Sequence, residues 1–175
     1  MKKITIISLQ LVIAAMLSSC GGGGGGSTPV VPVQPTTATI KISTQGTYPS
    51  GALIGGIDVT LVLPAGVTVK ATADLTNTSI LVTNSGVVTA SGVAAANSTV
   101  LATYSAAAGS VAGTVSIKIV NPTGFGIGEF VTVNGDLAAG SNPTAANFSL
   151  SNFSAKDLNG TSIDGVTPAL VVTTQ

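Results

Sequence analysis

The chain has 175 residues, of which 45% are apolar, 7% charged and 3% aromatic, with no histidine, no tryptophan and one cysteine. The absence of histidine removes the imidazole base, one cysteine leaves no zinc ligand set, and a formal net charge of zero leaves no basic patch for nucleic acid. The apolar fraction is too high for a disordered chain.

Met1-Lys2-Lys3 opens the chain with positive charge, and Ile4 to Leu17 is almost wholly apolar. A charged start, a short apolar stretch and small residues at its end describe a secretory signal. A membrane-spanning helix needs about 20 such residues, which this stretch does not reach. It ends at Leu17-Ser18-Ser19-Cys20, which resembles the lipobox of bacterial lipoproteins. That resemblance implies cleavage before Cys20 and acylation of its thiol and of the new amino terminus. Two or more acyl chains hold a protein stably at a membrane, where one does so only marginally. In the lipoproteins it resembles, Asp after the modified cysteine favours inner-membrane retention. Gly21 stands there instead, so an outer-membrane lipoprotein is expected, facing the periplasm or the cell surface.

Gly21 to Gly26 is a pure glycine run, and Pro29, Pro32 and Pro35 follow it. Glycine adds backbone freedom and spaced prolines favour an extended helix, so the pair reads as a swivel and a spacer. Fully extended, it reaches about 50 Å. Residues 1–19 are thus read as signal peptide, 20–36 as lipidated cysteine and tether, and 37–175 as one domain of ordinary size. Past the leader there are four lysines, no arginine and six carboxylates.

Period-two alternation dominates the domain, the sign of half-buried strands. Ile40 and Ile42 share a face, as do Ile57, Val59, Leu61 and Leu63, and Val115, Ile117 and Ile119. Further strands are expected at Val67–Ala71, Ser79–Val82, Val87–Ala90, Val100–Ser105, Glu129–Asn134, Phe148–Ala155 and Ala169–Thr173. Turn signals stand at Pro64-Ala65-Gly66, Asn84-Ser85-Gly86, Asn121-Pro122, Asn142-Pro143 and Asn159-Gly160. Ala94 to Ala108 is alanine-rich, but its β-branched residues favour a strand. The apolar phase slips between Leu150 and Phe153, which predicts a bulge. A short helical turn is expected at Asn142-Pro143, with Asn as cap and Pro in first position. Short strands divided by regular turns predict an all-β fold, a single antiparallel β-sandwich.

Three stretches carry a resemblance to cohesin domains, within the wider group of cohesin-like and carbohydrate-binding sandwiches: Gly55-Gly56-Ile57-Asp58-Val59-Thr60-Leu61, Gly124 to Val133, and Phe153 to Ile163 with its Asp157-Leu158-Asn159-Gly160 turn. The resemblance implies a nine-stranded, jelly-roll-like sandwich used for binding. Many cohesins carry an aromatic-Asp-Pro segment after the second strand; Leu63-Pro64-Ala65-Gly66 stands in its place.

Asp157, Asn159 and Asp164 suggest a calcium loop, but the dense acidic pattern is missing and a tight Asn-Gly turn accounts for the same residues. Tyr48 and Tyr104 are the candidate aromatics for stacking a sugar ring. Asp58, Asp74, Glu129, Asp136, Asp157 and Asp164 are scattered rather than paired across a cleft. A non-catalytic protein without cofactor is therefore expected. Three readings remain open, in this order: a module binding a secreted or envelope protein, including a dockerin-like one; a polysaccharide-binding module; and a structural surface protein that self-associates by strand pairing.

Overall fold

The computed structural model describes residues 34–70, 80–81 and 86–175. Cys20, the leader and the tether as far as Val33 lie outside them, as do Ala71, Asp74, Ser79, Val82, Asn84 and Ser85.

The described residues are almost all strand. One sheet runs β10 (Val166–Thr174), β1 (Thr37–Gly46), β8 (Glu129–Leu137) and β3 (Val67–Val69), with β5 (Val88–Ala90) also paired to β8. The other runs β4 (Ile80–Leu81), β6 (Thr99–Ser105), β7 (Gly113–Phe125), β2 (Ile54–Leu63) and β9 (Ser149–Asp157). We call these sheets A and B. Every pairing is antiparallel. Apart from β6 to β7, each consecutive pair of strands passes from one sheet to the other. β1 pairs with β10, β2 with β9 and β3 with β8 in alternating sheets, the wrapping of a jelly-roll-like sandwich. Ten strands are described where the resemblance implies nine.

The alternation read from the sequence is what closes the core. Ile40 and Ile42 of sheet A and Ile57, Val59, Leu61, Ile117 and Ile119 of sheet B are buried in one cluster. Each such side chain contributes about 1.5–3 kcal/mol on full burial. A register break between Ile42 and Ser43 lets β8 turn both Phe130 and Val131 inward. The expected slip in β9 is present: Asp58 pairs with Ser154 and Thr60 with Ser151, so β9 carries an extra residue there, and Asn152 has φ +51°.

Several local expectations are corrected. Asn121-Pro122 is not a turn between strands but lies inside β7. Pro122 lacks an N–H, and it falls where the β2–β7 register jumps from Gly56–Val120 to Ile54–Phe125, so no regular ladder bond is asked of it. Asn121 is only 2% exposed. Its Nδ2 donates to Ala96 O (2.8 Å) and Ser98 Oγ (2.9 Å), and its Oδ1 accepts from Thr123 N (3.0 Å) and Thr123 Oγ1 (2.8 Å). The helical turn is a 3-10 turn at Ala145–Asn147, capped by Thr144 rather than Asn142. Asn147 stands three residues after Thr144 and its Oδ1 accepts from Thr144 N at 2.8 Å. The same spacing from Asn142 reaches Ala145, which cannot reciprocate. The alanine-rich stretch is strand only over Thr99–Ser105, and a 3-10 turn at Gly92–Ala94 precedes it.

That 3-10 turn is pinned to β8. Gly92 has φ +53°, and a Cβ there would lie 2.3 Å from Glu129 O, so only glycine allows the approach. Beside it, Lys41 Nζ donates to Glu129 Oε2 (3.0 Å), and the single Thr132 hydroxyl lies within reach of both Ser91 Oγ (3.0 Å) and Glu129 Oε1 (3.4 Å). Hydrogen bonding from Ser91, then from Lys41, holds the Glu129 carboxyl below its ordinary value.

Two predictions follow from these anchors. Asn121→Ala leaves the Ala96 carbonyl and the Thr123 amide without their partner, and should cost about 1–3 kcal/mol in urea denaturation. A depressed carboxyl pKa contributes stability that is full above the unfolded value and is lost as pH falls through the folded one. Glu129→Gln should therefore be less stable than the parent near pH 7. The two denaturation midpoints should converge as pH falls through the folded-state value of the carboxyl.

Candidate functional site

The outward face of sheet B can be written as rows across β6, β7, β2 and β9. One row is Thr103, Ser116, Thr60 and Ser151; another is Ser105, Thr114, Val62 and Ser149. These side chains are short, so this part of the face is flat and hydroxyl-bearing. The next row is Leu101, Lys118, Asp58 and Ser154. Lys118 Nζ donates to Asp58 Oδ1, and both side chains are well exposed. In water such a pair adds at most about 1 kcal/mol to stability. The last row is Thr99, Val120, Gly56 and Lys156.

Large apolar side chains gather at this end of the face. Leu101 is 50% exposed and Val120 59%. Beyond them Leu53 and Leu158 converge over Gly124, whose φ of +72° and missing Cβ leave room for both. Leu158 is itself 50% exposed. Because Gly56 has no side chain, the last row is notched between Val120 and Lys156. The notch opens into a groove of 380 Å³, walled by Val120 and Pro122 on one side and by Lys156 and Leu158 on the other. The Asn121 bonds described above hold the first wall. The β9 turn holds the second: Asp157 Oδ1 accepts from Asn159 N (2.9 Å) and Thr161 N (2.8 Å), and Gly160 N donates to Asp157 O (3.1 Å). A larger hollow of 640 Å³ flanks β6 near Thr89, Ala95, Ser98 and Leu101, and no titratable side chain lines it.

The residues singled out in the sequence are dispersed. Tyr104 is a core residue, 2% exposed, with its phenol pushed above the ordinary value by burial. This corrects its candidacy as a ligand contact, since a buried ring offers no face to a sugar. Tyr48 is half-buried and packs against the core, its hydroxyl 3.6 Å from where a Cβ on Gly126 would stand. Phe125, Phe130 and Phe148 are buried and Phe153 is half-buried. Asp157 is engaged in its turn, in which Gly160 alone takes positive φ (+81°) and Asn159 does not. Asn159 and Asp164 are exposed. Among the described residues no three His, Cys, Asp or Glu side chains converge.

Leu101, Val120 and Leu158 were not singled out in the sequence. The signal for Val120 was present: after inward Val115, Ile117 and Ile119, it falls on the phase of Ser116 and Lys118 and must face out. Leu101 lies likewise between inward Val100 and Ala102.

No family model matches the chain, and no curated protein does. Among solved structures it is similar to a non-cellulosomal cohesin from the hyperthermophilic archaeon Archaeoglobus fulgidus, with 14% identity over 75% of each chain and a TM-score of 0.48. The sandwich is established independently by the strand pairing above.

The groove has a clean test of its own. A Cβ on Gly56 would meet only Ile119 O, at 3.4 Å, and β-branched residues suit strands. Gly56→Val should therefore fill the notch and leave the thermal midpoint at or above that of the parent, measured by circular dichroism.

Proposed function

We propose that this protein is an exported, lipid-anchored envelope protein whose domain binds another secreted or envelope protein on the outer face of sheet B. The observation that carries the binding face is that Val120 and Leu158, both half-exposed or more, wall a glycine-notched groove on an otherwise Thr/Ser surface, with exposed Leu101 in the adjoining row. Exposed apolar groups collected in one place mark interaction surfaces, whereas scattered ones do not. The Lys118–Asp58 pair in the adjoining row gives the face charges that a partner can read for orientation.

A protein partner is favoured over a polysaccharide because the aromatic side chains are spent in or against the core, leaving no flat ring on this face. The cohesin resemblance of the sequence agrees with a protein partner and points to a dockerin-like one. Lipid attachment rests on Leu17-Ser18-Ser19-Cys20 and the leader before it. The Gly21 position favours the outer membrane.

Two experiments test the reading. Full-length protein produced in a Gram-negative host should fractionate with the outer membrane. Cys20→Ser should release it from that fraction; continued co-sedimentation of the variant with membranes would remove the lipid anchor. Affinity capture from the parent envelope should return a defined protein partner. Val120→Glu should lower its recovery about tenfold, the equivalent of about 1.4 kcal/mol, and the folded Gly56→Val variant should do the same. Undiminished recovery with both variants would move the site elsewhere, and retention on insoluble polysaccharide instead would favour the second reading.

A further inference from the structure

Sheet B is not the place where this molecule is least finished; the edge of sheet A is. β10 ends that sheet and pairs only with β1, in unbroken register from Ala38–Thr174 to Gly46–Val166. Its backbone phase is fixed by the bonds just beyond it. Thr37 N donates to Gln175 O and Gln175 N donates to Thr37 O, both at 2.9 Å. Antiparallel strands alternate such pairs, so Thr173, Val171 and Ala169 turn their backbone groups toward β1. Thr174, Val172 and Leu170 therefore turn N–H and C=O away from it. Pro168 belongs to the same outward row but has no N–H. Among the described residues no backbone hydrogen bond reaches that row. The 3-10 turn Ala145–Asn147 lies beside β10, has no buried residue and makes no bond to it.

Exposed edges are ordinarily blunted by charge, proline, bulges or shortness. The other edges of the described sandwich are blunted. β9 is broken at Asn152 and carries Lys156 and Asp157, while β3, β4 and β5 are two or three residues long. β10 has nine residues, no charge, and after Pro168 reads Ala-Leu-Val-Val-Thr-Thr. Val171 on its outer face is 62% exposed, and Leu170 and Val172 are only half-buried against the core.

We infer that this edge pairs antiparallel with β10 of a second copy of the chain, joining two A sheets into one. The register follows from the outward row. A two-fold axis at Val172 sets Val172 opposite Val172 of the second copy and Leu170 opposite Thr174 of the second copy. All of these residues have free N–H and C=O groups, so each pair exchanges both bonds and Pro168 falls outside the ladder. Val171 then covers Thr173 of the second copy, and the half-buried Leu170 and Val172 gain neighbours of their own kind. The second copy is the fitting occupant because the strand is uncharged. It meets itself without opposing like charges, whereas a charged strand would leave its charges facing Leu, Val and Thr without a partner.

The test uses the full chain in detergent, with dimerisation read by sedimentation equilibrium. Val172→Pro removes an outward N–H without taking away any bond to β1, though it also trims a half-buried side chain. It should raise the dimer dissociation constant at least about tenfold, the loss of the central paired bonds. Independently, a Val171→Cys chain and a differently tagged Thr173→Cys chain are produced together and oxidised. Facing residues of a non-hydrogen-bonded pair stand about 4.5 Å apart, within disulfide reach. The mixed disulfide should form in preference to either self-disulfide and above the background of a chain with Cys20 alone. A monomer at all concentrations overturns the inference, as does a dimer that Val172→Pro leaves unchanged or a mixed disulfide no stronger than the self-disulfides. If Val172→Pro loses its β-sheet circular dichroism, the disulfide experiment decides alone.

Discussion

Two sheets must bury one face each against the other while almost no charged residues are available to hydrate what remains. This constraint shapes the molecule. Burial of the alternating Ile, Leu and Val supplies the driving force, and it is indifferent to how the outer faces are polar, provided that they are. With charge at 7% of the chain, the outer faces are built from Thr, Ser and Asn. Thr adds to this a β-branched side chain that fits a strand. Such surfaces are hydrated but electrically quiet. Among the described residues the ion pairs Lys41–Glu129 on sheet A and Lys118–Asp58 on sheet B each bridge neighbouring strands across a Thr/Ser background.

The same scarcity explains why glycine and asparagine take on the work of positioning. Where the sheets deviate from regular pairing, no buried ion pair holds the deviation among the described residues. Asn121 does so in β7 with amide bonds to Ala96, Ser98 and Thr123. Gly92 lets the turn before β6 come against Glu129. Both act at the rim of the sheets, where backbone groups leave the ladder and need partners. The β7 irregularity in turn lifts Val120 and Pro122 into one wall of the groove. The groove is thus a by-product of how a proline was accommodated in a strand.

Much of this fold was legible in the chain because period two is a direct imprint of a sheet with one wet face. The apolar phases read for β1, β2 and β7 are those of the structure, and even the β9 bulge shows as a phase slip. What was not legible is instructive. Asn121-Pro122 carries the composition of a turn, and composition cannot distinguish a turn from a strand irregularity that uses the same residues. The cap at Thr144 was readable only by asking which residue three positions on could return the bond. Tyr104 has a hydroxyl and looked able to face out, yet it occupies the inward phase of β6 with Val100 and Ala102, and phase overrode polarity. The exposed Leu101 and Val120 follow from that same phase argument run in reverse. The pairing of strands between sheets, which brings Val120, Gly56 and Lys156 into one row, is a long-range fact that no local pattern contains.

Face and edge lie in different sheets, and this separation has a mechanical consequence. A ladder through β10 would extend sheet A sideways and leave the outer face of sheet B untouched, so the proposed pairing and partner capture would not compete for surface. In a two-fold pair the faces are presented twice. Were the chain lipid-anchored as proposed, each second contact would be made at the effective concentration set by that anchor rather than by the bulk. β1 starts beside the end of β10, and the two-fold at Val172 would place the two β1 starts about 25 Å apart at strand spacing. Residues 20–36, about 50 Å when fully extended, would be long enough to bridge that separation under the proposed anchoring. Under the proposed anchoring, a weak uncharged edge and a small apolar groove would each need little affinity, because the geometry would keep the partner close.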